Sequence, residues 1–423
     1  MSVIVSGVET LCSKVRQGLQ PPPRTPVYHT WGVGDYRARG LRSNLVSEDH
    51  FAETPGGFHI FLKRIYRPVH LAAEGQAVGK GEVIACPGSW ENGNLWRIHF
   101  NGKLLYAGEL DDLDAWANFF ADQGLEFWAV NLFCSRIYDR YVARKIQSST
   151  LRAVPREDVN VDDLIDIDVK AVLDYVYKVS GGLPIYWLGH SFGGMLGYGY
   201  LGLNQDPRVK ALATLASPVR LGANGKKGKE ARRNQRILRL LGKTDRVFSS
   251  AKVLERYFHP NHALNRHIVT VTNWVGHLPP IFARFSIFDP FLFNYANVDP
   301  AAISPFVLRI AEPIFPQVLD FFHGMIRTGG FTSYDERGRV SKDFGGNMRN
   351  IRQPLMVVLG GLDHVAAPSN VRLVRESYVG DDPGREKDIT LVEVAEAGHL
   401  DLVVGKKAPP LMRQIADFFL AHP

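Results

Sequence analysis

The pentapeptide Gly189-His190-Ser191-Phe192-Gly193 places a hydroxyl where it can be made reactive. It follows an apolar run, Ile185-Tyr186-Trp187-Leu188, and leads into small residues, Gly194-Met195-Leu196-Gly197. Strand, sharp turn and helix in that order raise a serine on a tight elbow at the strand end. The flanking glycines answer a steric demand. Such a turn needs unusual backbone angles and close strand–helix approach, which a β-carbon would block. The backbone N–H of Phe192 then falls at a helix N-terminus, where it suits a developing oxyanion. The chemistry these residues could do is acyl transfer through Ser191.

A serine hydroxyl is a weak nucleophile at its own pKa and needs a base, most simply a histidine held by a carboxylate. With an elbow of this kind the acid and then the histidine follow the serine along the chain. Asp363, in Gly361-Leu362-Asp363-His364, comes directly after the apolar run Leu355 to Gly360, at the carboxyl end of a strand. Its plainer alternative is a turn-former or cap before a helix over 368–378. His399, in Gly398-His399-Leu400-Asp401, follows the run Ile389 to Val394 and is the candidate base. His190 is expected to point away from the serine oxygen, His364 to be structural or at the rim, and Asp401 to be a solvated or capping carboxylate sooner than one that orients the histidine loop. The second oxyanion donor should come from the loop Cys86-Pro87-Gly88-Ser89-Trp90-Glu91-Asn92-Gly93, and the N–H of Ser89 is the candidate. Pro-Gly is turn chemistry in any protein, so this loop is the least specific of the signals.

Those residues need a frame. Phe58 to Leu62 with Arg64 to Tyr66, Gly81 to Cys86, Glu126 to Leu132, Pro184 to Gly189, Val209 to Ala216, Leu355 to Gly360 and Ile389 to Val394 read as strands. Helical spacing of apolar residues runs through 110–124, 161–179 and 411–420. The alternation implies an α/β fold, a mostly parallel sheet with helices on both faces. The rhythm stops between Ser217 and Arg352, which is too long for a structureless loop in a compact domain. The expected organisation is an N-terminal extension over 1–56, a core over 57–216 and 353–423, and a large, mainly helical cap over 217–352, with helices over 237–242 and 303–324.

Composition narrows the function classes. Hydrophobic residues make up 45% and charged residues 22% of 423, the range of an ordinary globular protein. The 24 Phe, 15 Tyr and 7 Trp are expected in the core first and in an apolar channel second. The three cysteines, Cys12, Cys86 and Cys134, form neither a disulfide framework nor a metal spacing, and Cys86 is expected to be buried. His259, His262, His267 and His277 lack the carboxylates or cysteines that would complete a metal site. There is no P-loop and no dinucleotide fingerprint, so no cofactor and no metal are expected. Segment 226–246 holds nine basic residues against Glu230 and Asp245, which equals the whole net charge of +7. The remainder is balanced, which argues against a nucleic-acid surface. Interleaved Ile237, Leu238, Leu240 and Leu241 make the segment amphipathic: either a solvated lid helix or a peripheral contact with anionic membrane. No signal peptide or membrane span is read, so a cytoplasmic location, with that peripheral contact, is the expectation.

With these motifs the chain resembles the α/β-hydrolase superfamily over roughly 58–220 and 350–423. The carriers are Gly189 to Gly194, the strand leading to Asp363, and Gly398 to Asp401. Extended through Leu402-Val403-Val404-Gly405-Lys406-Lys407-Ala408, the last segment is similar to acid-lipase-like and polyhydroxyalkanoate-synthase-like enzymes, as is the large cap. Lipases of that group usually carry His-Gly where this chain has Pro87-Gly88, and the polymer synthases use cysteine where it has Ser191. The resemblance implies hydrolysis of a carboxylic ester on a small apolar substrate, without a cofactor. Its alternatives are acyl transfer or thioester cleavage, or a catalytically silent fold used for binding.

Overall fold

The computed structural model describes residues 45–97, 115–131, 159–221 and 316–423, with positions 73, 76, 90 and 336 left out and with 293–294, 296–298 and 310 between the larger pieces. The basic segment 226–246 and the histidines at 259, 262, 267 and 277 lie outside the described residues, as do Cys12 and Cys134.

Eight strands form the main sheet: β1 (Val46–Glu53), β2 (His59–Tyr66), β3 (Gly81–Cys86), β4 (Leu125–Asn131), β5 (Ile185–His190), β6 (Val209–Leu215), β9 (Leu355–Gly360) and β10 (Ile389–Val394). Their spatial order is β1-β2-β4-β3-β5-β6-β9-β10. From β4 through β10 every neighbouring pair is parallel, while β2 runs antiparallel to both β1 and β4. A separate two-stranded ribbon pairs β7 (Thr332–Tyr334) with β8 (Val340–Asp343). The central strands β3, β5 and β9 are buried along their whole length, as expected of parallel strands covered on both faces.

Consecutive residues of β5 show the two layers. Tyr186 stacks on Phe419 at 4.9 Å between ring centres, while Trp187 lies where a β-carbon on Gly197 would come within 2.7 Å of its ring. Neighbouring side chains in a strand point to opposite faces, so the helices carrying those partners cover opposite sides. One layer holds α1 (Trp116–Asp122) and α6 (Ala408–Leu420), joined by an aromatic chain of Trp96, Trp116, Phe120, Phe127 and Phe419 with ring centres 5.5 to 6.3 Å apart. The other holds α2 (Lys170–Val179), α3 (Phe192–Asn204) and α5 (Pro368–Val379). Between β8 and β9, Phe344, Met348 and Ile351 are buried in the same core as these helices. The aromatics thus pack the core, and Cys86 is fully buried.

Three expectations change. Residues 46–53 lie in the stretch expected as an irregular extension, yet they pair along β2 as the sheet's edge strand. Glu48, Asp49 and Glu53 mask it in sequence, because edge strands carry charge. The helix expected over 161–179 contains a π turn at Leu164–Val169 before α2. Of the helix expected over 303–324, the described part is α4 (Pro316–Thr328), which runs past the expected end, and most of 303–315 lies outside the described residues. Because β6 pairs directly with β9, Leu212 opposite Leu355, everything between them enters and leaves the sheet at adjacent strands.

At the sheet edge opposite the strand C-termini, Glu82 and Glu126 are cross-strand neighbours on β3 and β4. Glu82 is fully buried and accepts the indole N–H of Trp128 at 2.5 Å, while Glu126 pairs with Arg64. Burial first, and then the charge of Glu126, push the Glu82 carboxyl up to about 8. The unfolded chain ionises this group in the ordinary carboxylate range, so stability falls as pH rises from there to about 8, with a slope of at most about 1.4 kcal/mol per pH unit. Glu82→Gln keeps an acceptor for Trp128. Urea unfolding across that range should show a flatter pH dependence and a gain confined to the alkaline end; parallel curves would refute the buried neutral carboxyl.

Candidate active site

All six strands β3 to β6, β9 and β10 point the same way, so their carboxyl ends share one edge, where open α/β sheets place functional groups. Ser191 follows β5 with φ 50° and ψ −117°, a region a side chain rarely adopts. The turn is held by the N–H of Ser191 on Leu215 O at 2.7 Å and by the N–H of Gly194 on Ser191 O at 3.1 Å. A β-carbon on Gly189 would collide with the backbone of Gly193 and Gly194, and one on Gly193 with the carbonyls of Cys86 and Pro87. The elbow therefore presses against the loop after β3 as well as against its own helix.

Asp363 follows β9 by three residues, and His399 sits in the loop after β10. Both are buried. His399 Nε2 lies 3.0 Å from Ser191 Oγ, and its Nδ1 lies 2.8 Å from Asp363 Oδ2. The other Asp363 oxygen accepts the backbone N–H groups of Val365 and Ala366 at 2.7 and 2.8 Å, which fixes the carboxylate as an acceptor. Nδ1 of His399 is then the donor, leaving Nε2 to receive the serine proton. The arrangement can raise the nucleophilicity of Ser191 and stabilise the imidazolium that results.

The loop after β3 lies beside the serine. A β-carbon on Gly88 would stand 3.3 Å from Ser191 Cβ. The Gly88 N–H is bound by Glu91 Oε2 at 2.7 Å, so the candidate donor in this loop is the next residue, Ser89, which is half-buried. Phe192 opens α3, and its buried ring packs on Phe322 and Phe321 of α4 at 5.3 and 6.1 Å. His364 is half-buried beside the acid.

One residue, Asp401, differs from expectation, Glu91 was not anticipated, and His190 has partners that the sequence did not suggest. His190 does turn away from the serine, but it is fully buried and bonded at both ring nitrogens, to Glu91 at 2.9 Å and to the main-chain oxygen of His399 at 3.1 Å. Glu91 reads as a polar loop residue, since nothing local pairs it with a histidine 99 positions on. Asp401 is neither solvated nor a surface cap: it has no exposure, and burial is the main force raising its pKa. Its oxygens accept the N–H of Gly398 at 2.9 Å, the N–H of Asn294 at 3.2 Å and the side-chain amide of Asn297 at 2.7 Å. The histidine loop is thereby tied to the segment inserted between β6 and β9. That insertion also touches the loop after β3, where the N–H of Asn92 donates to Ile310 O at 3.0 Å.

Removing the Asp401 carboxylate strands three donors, each costing on the order of 1–3 kcal/mol when buried. Asp401→Ala should lower the free energy of denaturant unfolding by about 3 kcal/mol or more, and Asp401→Asn, which keeps one acceptor oxygen, by less. Equal stability of the two variants would contradict this anchoring.

No protein-family profile matches the chain, and no curated protein matches it. Among solved structures it is similar to a thermophilic esterase from Thermogutta terrifontis (14% identity, TM-score 0.48, 89% of this chain and 100% of that one). It is also similar to a hypothetical protein from Pseudomonas aeruginosa (13%, 0.49, 96% and 100%) and to a thioesterase domain from the curacin biosynthetic pathway (14%, 0.43, 89% and 99%). The strand order, the elbow after β5 and the chain order serine, acid, histidine carry the assignment on their own. On that evidence the chain is an α/β-hydrolase-fold protein.

Proposed function

We propose that the protein is a serine hydrolase that cleaves a carboxylic ester through an acyl-enzyme. One observation carries the reading: buried His399 bridges half-buried Ser191 Oγ and buried Asp363 in a single line, with Ser191 held in a strained backbone conformation. His399 takes the serine proton as Oγ attacks the ester carbonyl, and returns it to the departing alcohol. Asp363 holds the ring and stabilises its charged form. The N–H groups of Phe192 and Ser89 are the proposed donors to the oxyanion. Water then attacks the acyl-enzyme with His399 again as base, releasing the acid and restoring Ser191. Phe192, Phe321 and Phe322 pack on one another behind the elbow and hold it in place.

Ser191→Ala removes the nucleophile without changing the packing. It should cut turnover of a p-nitrophenyl acyl ester at least about a thousandfold with an unchanged thermal unfolding midpoint. A fluorophosphonate probe should add one adduct, on Ser191, by intact mass. Retained turnover, or no adduct on the wild type, would remove the proposal and leave a fold used for binding.

The basic segment 226–246 favours a second reading, cleavage or transfer from a coenzyme A thioester, whose phosphates it would attract. Free coenzyme A should then inhibit ester turnover competitively, and added salt should weaken that inhibition. Inhibition that is absent or indifferent to salt leaves the ester reading alone.

A further inference from the structure

Behind the Ser191–His399–Asp363 line lies a second buried pair that the proposed steps do not use. Glu91 is 3% exposed and His190 not at all. His190 Nε2 faces the main-chain oxygen of His399, which can only accept, so that nitrogen carries a proton. Nδ1 faces Glu91 Oε2, which also accepts the N–H of Gly88; as a carboxylate oxygen it accepts from Nδ1 as well, so that nitrogen carries a proton too. With both nitrogens protonated His190 is a cation. The pair joins three segments that the acyl transfer needs: the loop after β3 through Gly88, the end of β5 through His190, and the histidine loop through His399.

We propose that Glu91 and His190 are positioning residues for the acyl transfer, tying the oxyanion loop and the His399 main chain to the strand that carries Ser191, and holding a fixed positive charge beside the catalytic ring. The inference rests on the hydrolase reading above. The two imidazole rings are 4.9 Å apart and tilted by 54°, close enough for the charge of one to be felt by the other. Burial alone would lower the His190 pKa. The charge and hydrogen bond of Glu91, helped by the His399 carbonyl and the Asp363 charge, outweigh it and hold the pKa above the ordinary histidine value. The titratable groups facing His190 are Glu91 from the loop after β3, His399 and Asp363 from the loops after β10 and β9, and Cys86 at the end of β3. The Cys86 thiol is kept neutral by burial and by the Glu91 charge. On the β6 side its neighbour is apolar Leu215.

The charges separate this role from simple packing. A cation 4.9 Å from the His399 ring acts on it by its charge, which packing alone would not do. His190→Gln removes the cation and leaves Glu91, so the acid limb of activity should move to higher pH than in the wild type. Glu91→Gln removes the anion and with it the reason for His190 to stay charged, so the acid limb should not rise.

The test measures fluorophosphonate labelling of Ser191 across pH, with kcat and KM for a p-nitrophenyl ester, in the wild type, His190→Gln, Glu91→Gln and the double variant. Each single variant should label roughly ten- to a hundredfold more slowly, less than the 10²–10³ lost with an oxyanion donor. The loss should fall on kcat rather than KM. The double variant should lose no more than the worse single one, because the pair acts as a unit. Nitrogen-15 NMR of the wild-type histidines should show two ring protons on His190 through neutral pH, and this measurement stands even if a variant fails to fold. A single ring proton on His190, or variants that label at the wild-type rate with an unmoved acid limb, overturns the inference. A wild type that does not label overturns the hydrolase reading instead, and the NMR result still decides the charge on the pair.

Discussion

Everything at the sheet's carboxyl edge depends on how closely the end of β5 approaches the start of α3. Glycine at 189 and 193 lets backbone meet backbone there, and Ser191 is forced into a left-handed conformation that its surroundings over-determine. Two consequences follow from the one turn. The serine side chain is thrown toward His399, and the preceding side chain, His190, is thrown the other way. Both then meet the same histidine, one at its ring and the other at its main-chain oxygen.

The parallel sheet supplies the second half of that arrangement. Asp363 and His399 come from two neighbouring edge-side strands, β9 and β10, whose ends lie level in register, Gly360 opposite Val394. Short loops suffice to bring acid and base together, and a short loop has little freedom to lose. Beneath these loops the aromatic chain from Trp96 to Phe419 is fully packed, and the indole of Trp116 donates to Val403 O at 2.8 Å behind the histidine loop. The aromatic layer thus supports the segment that follows the histidine through its main chain, as precise positioning requires.

Much of this was legible in the sequence, for physical reasons. Apolar runs such as Gly81 to Cys86 and Ile389 to Val394 announce themselves as strands, and the elbow announces itself because only glycine fits its contacts. The proximity of Ser191, Asp363 and His399 follows from strand order and needs no long-range guess. The illegible parts are those where meaning is non-local. β1 carries the charges of an edge strand and reads as loop. Glu91 and His190 find each other 99 positions apart, and Asp401 meets Asn294 and Asn297 at separations of 107 and 104. A buried polar group has no local pattern of its own; its partners define it.

The insertion leaves β6 and returns to β9, strands that are hydrogen-bonded to each other. Its two ends are therefore held together by the sheet whatever lies between them. The entropic cost of lengthening a closed loop grows only with the logarithm of its length, about 0.6 kcal/mol per doubling. The core is thus nearly indifferent to the size of what is spliced into it. What the core asks of that segment is local: a backbone N–H and one asparagine amide to meet Asp401, and a carbonyl to meet the N–H of Asn92.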